Sequence, residues 1–139
     1  MFRVLDADSP ISKEDFLHFE EILGKKLPKT MLDFYLKHNG GQPQVKGVHD
    51  EHHLFPFNSF DSLDEMRKSL TWYDDEAVPA GFRATDLLHF AYDPGSGNYA
   101  LSLREEDYGK VYFYVLEETA ELYGQWPSFE DFLNSFVEE

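Results

Sequence analysis

The sequence predicts an α+β fold: a single domain with a mostly antiparallel, mixed sheet of about five to six strands, flanked by N-terminal helices and a C-terminal helix. Apolar residues recur at helical spacing near both ends of the chain. Between them, residues 87–116 contain alternating or continuous apolar runs separated by turn residues. With 139 residues the chain is long enough to bury one core, so we expect a single domain over residues 1–139.

The first helix is predicted over residues 12–23. Ser12 is a typical N-cap, and Asp15 occupies the third helical position of a variant capping box. The predicted buried face consists of Phe16, Phe19, Ile22 and Leu23.

The second helix is predicted to start at Pro28, whose missing N–H is not needed in a first turn. Asn39, Gly40 and Gly41 end it, because these residues tolerate the positive φ of a C-terminal cap. The predicted apolar stripe excludes Phe34 and consists of Met31, Leu32, Tyr35 and Leu36.

The middle of the chain has mixed patterns. Residues 42–57 predict a strand or two with loops, and residues 62–70 a short helix that begins with Ser62 and Glu65 as a capping box. Residues 71–85 contain Pro79 and Gly81 and predict an irregular loop.

The strand-rich part predicts a hairpin of residues 87–92 and 99–103 around the turn-forming residues 93–98. Residues 111–116 are apolar on both faces, which predicts a central strand. A last helix is expected from Ser128, with Asp131 as its box partner, and its apolar stripe consists of Phe129, Phe132, Leu133 and Phe136.

Charge is the most informative bulk property. The chain has 27 acidic and 12 basic residues, a net charge of −15, and from Thr71 onward it has fifteen acidic and three basic residues, a net −12. This charge repels nucleic-acid phosphates and attracts a basic protein. The alternative interpretation is that it only keeps the protein in solution.

The absence of cysteine excludes disulfides, thiolate zinc sites and a cysteine nucleophile. The first residues lack the basic start and apolar run of a secretory signal, and no apolar stretch approaches the ~20 residues of a membrane span. We therefore expect a cytoplasmic protein.

Residues 49–53 are the most suggestive metal-binding pattern, with His49, His52 and His53 beside two carboxylates. They lack the His-Glu-x-x-His spacing and lie in a predicted loop, so we expect a solvated segment and no metal or other cofactor. A metal-dependent hydrolase that uses this cluster is the enzyme alternative. The glycine-rich turn at Gly95 and Gly97 lacks the Lys-Ser/Thr ending of a phosphate-binding loop.

The predicted partner-binding site lies in the irregular loop and consists of Trp72, Tyr73, Asp74, Asp75 and Glu76. Tryptophan and tyrosine are enriched at interface hot spots. The alternatives are that the two aromatic rings pack onto the domain and that the acidic runs 74–76, 105–107 and 117–118 are solvated. Trp126, just before the last helix, is expected to hold that helix against the sheet.

Three segments together resemble the SUKH superfamily, which includes fungal regulators of cell-wall assembly and many bacterial toxin-immunity proteins. The first has Leu-Gly at residues 23–24, Leu-Pro at residues 27–28 and Asn-Gly-Gly at residues 39–41. The second is the hairpin, and the third joins residues 109–112 to residues 128–133. The resemblance implies an α+β fold with no enzymatic activity and no catalytic residues.

From charge and resemblance together we expect a non-catalytic immunity protein that neutralises a bacterial toxin by direct binding. Its partner would be a basic toxin domain, such as a nuclease, rather than nucleic acid or a membrane. The alternative is a regulatory or scaffold protein with a partner that is not a toxin.

Overall fold

The computed structural model describes residues 2–45 and 47–137, so the predicted domain limits, Met1 and Glu139, lie outside the described residues. The helices are α1 (Lys13–Leu23), α2 (Lys29–Lys37), α3 (Leu63–Ser69) and α4 (Phe129–Leu133), with a 3-10 turn at Ala84–Asp86. The strands are β1 (Val4–Leu5), β2 (Gln42–Pro43), β3 (Gly47–His49), β4 (Leu54–Pro56), β5 (Ser59–Phe60), β6 (Leu87–Tyr92), β7 (Gly97–Ser102), β8 (Val111–Leu116), β9 (Ala120–Trp126) and β10 (Phe136–Val137). No described helix is both long and apolar enough to span a bilayer.

The main sheet has five antiparallel strands in the order β5-β6-β7-β8-β9. Smaller sheets pair β1 with β2 and place β3 between β4 and β10. The α+β prediction is confirmed, as are the hairpin of β6 and β7 and the internal position of β8. Strand β9, which forms an edge of the main sheet, was not predicted from the sequence.

Serine side-chain caps mark the beginnings of α1, α3 and α4, whereas α2 follows Pro28, which makes no side-chain cap. Side chains of Ser12, Ser62 and Ser128 each accept a hydrogen bond from the backbone N–H three residues later, as predicted. The end of the last helix was predicted wrongly, because α4 stops at Leu133 and Phe136 lies in β10, opposite Val48 of β3. Pairing with a distant strand therefore overrides the helical spacing of Phe136.

The helices pack on one face of the main sheet around an aromatic core. Phe16, Met31 and Phe132 are fully buried there. Phe34, which we predicted to lie outside the α2 stripe, is also buried, because its ring contacts those of Phe60 and Phe129 at centroid distances of 4.7 and 5.9 Å. Ile22, in contrast, was predicted to be buried and is 47% exposed.

The loop of residues 71–85 covers the opposite face of the sheet. Tyr112 and Tyr114 of β8 are buried on this face, whereas Val111 and Phe113 belong to the aromatic core. Phe82 from the loop packs against Tyr112 with a centroid distance of 5.2 Å. Both faces of β8 are thus covered, which explains its continuous apolar sequence.

Asp107 anchors this loop to the turn between β7 and β8. Arg104 Nη2 lies 2.5 Å from Asp107 Oδ2, and the hydroxyls of Ser102 and Tyr112 donate to the same carboxylate over 2.5 and 2.6 Å. The Arg104 guanidinium also stacks 3.9 Å from the centroid of the Phe82 ring. Asp107 is therefore not part of a solvated acidic run but a structural link to the loop.

Replacement of Asp107 by asparagine should destabilise the fold by about 2 kcal/mol at pH 7, because charge-assisted hydrogen bonds are lost. Burial raises the pKa of Asp107, but the donors from Arg104, Ser102 and Tyr112 hold it well below its usual value. Stability from such a carboxylate is present above pH ~4 and is lost as the pH falls. Urea unfolding at pH 7 and pH 3 should therefore show a difference between wild type and D107N that shrinks in acid.

The matched control is Glu105→Gln in the same turn, which removes one charge from an exposed position. It should leave the urea midpoint nearly unchanged at both pH values. A D107N midpoint equal to that of E105Q would contradict the structural role of Asp107.

Candidate functional site

A cavity of about 320 Å³ lies between α3 and the turn end of the β6–β7 hairpin. We call it the Trp72 cleft, and its lining includes Asp61, Glu65, Lys68, Trp72, Tyr73 and Tyr92. Strand β5 leads into the N-cap of α3 and also pairs with β6. The pairing therefore brings α3 next to the β6–β7 hairpin, although the two are far apart in the sequence. The cleft joins carboxylates and aromatic rings at one place on the surface.

Trp72 and Tyr73 follow α3 and have different surroundings. Trp72 is 72% exposed, the highest value among the exposed large apolar side chains. Tyr73 is half-buried and stacks on His89 with a centroid distance of 3.7 Å and an interplanar angle of 8°. Its hydroxyl also donates to Asn98 Oδ1 over 3.3 Å. Tyr73 therefore forms a fixed wall, and Trp72 an exposed apolar surface beside it.

The stack rests on a buried polar pair within the sheet. Nε2 of His89 lies 2.7 Å from the hydroxyl of Tyr114. Burial lowers the pKa of His89 to about 4, so the imidazole is neutral at physiological pH. A neutral, hydrogen-bonded ring gives Tyr73 a rigid platform without a buried charge.

The predicted acidic residues of the loop do not all face outward in the same way. Asp74 Oδ1 accepts hydrogen bonds from the backbone N–H groups of Glu76 and Ala77, each over 3.0 Å. Asp75 Oδ1 accepts from Ala84 N over 2.8 Å. Both carboxylates thus stabilise the loop while remaining exposed, and Glu76 is exposed as well. None of the three lines the Trp72 cleft.

The carboxylates of Asp61 and Glu65 do line it. The backbone of Asp61 is held between Phe90 O and the hydroxyl of Tyr35, which donates to Asp61 O over 2.7 Å. Among the described residues, no side chain or backbone group donates to its carboxylate. Burial and the neighbouring charge of Glu65 raise the pKa of Asp61 to about 7.

A larger cavity of about 790 Å³ lies on another part of the surface. It is formed by the end of β9, the turn after β3, the turn before β8, and α4. We call it the acidic cavity, and its charged lining includes Asp50, Glu51, Glu106, Asp107, Lys110 and Asp131. Carboxylates outnumber cationic groups here, so the cavity favours positively charged ligands.

The histidine segment borders the acidic cavity as a turn held by its own aspartate. Asp50 Oδ1 accepts from the backbone N–H groups of His52 and His53, each over 2.9 Å. Trp126 Nε1 donates to His49 O over 2.8 Å. Within residues 2–45 and 47–137, no three His, Cys, Asp or Glu side chains are grouped to hold a metal ion.

Comparison with known protein families identifies the fold just described. The model of the SMI1 / KNR4 family (SUKH-1) matches residues 10–135. The chain belongs to this family. A search of curated proteins finds no match. The resemblance predicted from the three sequence segments is therefore confirmed at the level of the family.

In this SUKH-1 domain, the sequence pointed to Trp72 and Tyr73 as candidate binding residues but not to the carboxylates of the Trp72 cleft. Trp72 and Tyr73 line the cleft as a pair, and their role in binding stays a prediction. Asp61 and Tyr92 were missed. The available signal was the position of Asp61 between buried Phe60 and the N-cap Ser62, which places its carboxylate close to the core.

Trp126 packs as predicted. It is 2% exposed, and its ring meets Phe132 of α4 at a centroid distance of 5.0 Å. In this SUKH-1 domain it therefore belongs to the core, and Trp72 is the tryptophan with an exposed ring.

Proposed function

We propose that this SUKH-1 domain is an immunity protein that binds a basic bacterial toxin domain directly and blocks it without catalysing a reaction. The observation that carries the proposal is the exposed ring of Trp72 beside the carboxylate of Asp61, which pairs with no cation among the described residues. Exposed tryptophans are frequent anchors of protein interfaces. A neighbouring carboxylate adds selectivity for a positively charged partner.

The charge of the chain supports the same type of partner. A net charge of −15 accelerates the encounter with a basic protein and suppresses binding to nucleic acid. Nuclease toxins present basic surfaces to their substrates, so an acidic inhibitor competes with phosphate charge. We therefore propose a nuclease as the toxin.

The two cavities suggest a division of roles in that complex. The Trp72 cleft combines a rigid wall with an exposed apolar ring, which suits an anchoring contact that slows dissociation. The acidic cavity is wider and mainly charged, which suits long-range attraction and faster association.

The test uses purified, catalytically inactive toxin domains, some basic and some acidic, measured by biolayer interferometry at low and high salt. We expect at least one basic nuclease domain to bind, with an association rate that falls steeply as salt screens the charge. Trp72→Ala should weaken that binding about 30-fold, as truncation of a hot-spot tryptophan does.

Tyr123→Ala is the matched control, because Tyr123 is an exposed aromatic residue on β9, away from the Trp72 cleft. It should change the affinity much less than Trp72→Ala. Failure of every basic toxin domain to bind at low salt, or equal binding of acidic ones, would overturn the proposal. Inhibition of the active nuclease by the wild-type chain must accompany binding.

A further inference from the structure

Two other aspartates, Asp64 and Asp107, are paired with cations, and Asp61 differs from both. Asp107 is paired with Arg104, and Asp64 Oδ1 and Oδ2 each lie 2.9 Å from a cationic nitrogen of Arg67 or Lys68. Asp61 is partly buried, receives no hydrogen bond on its carboxylate from the described residues, and has Glu65 as its charged neighbour. A desolvated carboxylate without a counter-charge is unfavourable in the free protein and is relieved when a cation binds.

The aromatic side chains that line the cleft favour a ligand that is positively charged and has a flat face to stack on them. Trp72 is 72% and Tyr92 41% exposed, and Tyr73 is fixed by its stack on His89. The faces of such rings attract cations through their quadrupoles, most strongly in tryptophan. At about 320 Å³ the space lies at the lower end of small-ligand pockets, which range from about 300 to 1,000 Å³.

The cation already at the rim does not fill this role. Lys68 lines the cleft, but its Nζ lies 2.9 Å from Asp64 Oδ2. Asp64 is exposed on α3 and does not line the cleft. The carboxylates of Asp61 and Glu65 therefore remain available inside, apart from the hydrogen bond that Glu65 Oε1 accepts from Ser62 N.

We infer that the Trp72 cleft receives a single arginine side chain of the partner protein, with its guanidinium on Asp61 and Glu65 and its face on Trp72. Arginine fits better than lysine because a planar guanidinium both bonds a carboxylate in a fork and stacks on an aromatic ring. The inference rests on the proposed function, because it names the partner group that the cleft recognises.

The test needs no identified partner. The probe is the peptide acetyl-Gly-Arg-Gly-amide, titrated into the 15N-labelled full chain at physiological ionic strength and followed by NMR. The matched peptide replaces arginine by citrulline, its uncharged isostere. We expect saturable shifts at the Trp72 indole N–H and at the amides of Glu65 and Tyr92 with the arginine peptide. The indole N–H of Trp126, which is bonded to His49 O, should stay in place.

Two substitutions separate the cleft from the general acidity of the chain. At pH 8, where Asp61 is ionised, Asp61→Asn should weaken binding of the arginine peptide about tenfold, since one of the two carboxylates that face the guanidinium is removed. Glu105→Gln removes one charge at an exposed position outside the cleft and should leave the affinity unchanged. A lysine peptide should bind more weakly than the arginine peptide.

Three results would overturn the inference: equal binding of the citrulline peptide, an unchanged affinity of D61N, or no saturable shift up to about 50 mM peptide. Equal affinity of the lysine peptide would also overturn the choice of arginine. Capture of a toxin domain with full affinity by D61N would leave the proposed function standing while the cleft inference fails.

Discussion

Asp61→Asn is expected to stabilise the folded chain at neutral pH. Burial and then the charge of Glu65 raise the pKa of Asp61 from its ordinary value of 3.8 to about 7. A carboxyl group with a higher pKa in the folded state favours folding only while it is protonated, so the contribution of Asp61 to wild-type stability falls as the pH rises from about 4 to 7. At 1.36 kcal/mol per pKa unit, the gain in D61N at pH 8 is up to about 4 kcal/mol.

Urea unfolding between pH 3 and pH 8 measures this gain. The two proteins should have nearly equal stability at pH 3 and diverge above pH 4. Other groups near Asp61, namely Glu65, Lys68, Tyr35 and Tyr73, are the same in both proteins. His89 has a lowered pKa and makes both proteins more stable as the pH rises, so it cancels in the difference.

Asp64→Asn, in the first turn of α3, is the control for which the opposite effect on stability is expected. Hydrogen bonds from Lys68 and then Arg67 lower the pKa of Asp64, so its loss should slightly destabilise the protein above pH 4. A gap between wild type and D61N that is independent of pH, or a less stable D61N at pH 8, would refute the assignment of Asp61. A stabilising loss of Asp61 would fit a residue retained for binding at a cost in stability.

Gly40→Ala should be one of the most destabilising single substitutions in the chain. Gly40 has φ of +80° and follows α2 at the point where the chain passes the start of α3. A Cβ atom there would lie 2.7 Å from Ser62 N and 2.9 Å from Ser62 Cα. Relief requires a backbone shift of the α3 N-cap, so we expect a loss of about 3 kcal/mol or more.

Gly24→Ala separates that clash from the cost of a positive φ. Gly24 ends α1 with φ of +74°, and a Cβ there would meet nothing within 4 Å. It should lose only about 1 kcal/mol, the cost of a left-handed conformation for alanine. Equal losses in urea unfolding would show that the close approach to Ser62 has no energetic effect.

The structures of residues 120–126 and of Phe136 could not be predicted from local sequence patterns. Residues 120–126 form β9, although Glu121, Leu122 and Tyr123 are exposed and give no alternation typical of a strand. The segment becomes a strand because β8 offers unpaired backbone groups beside it. Phe136 has helical spacing after Phe132, but its position is decided by the pairing of β10 with β3.

Sequence alone determined the family, the α+β class, the beginnings of the three serine-capped helices and the hairpin, because caps and turns depend on residues a few positions apart. It also identified Trp72 as a residue of interest. Only the tertiary structure decided that Asp61 lies beside Trp72, with no cation paired to it in residues 2–45 and 47–137, and that Tyr73 is stacked on His89. These relations join residues far apart in the chain, and burial, which determines both the packing and the pKa of Asp61, exists only after the chain has folded.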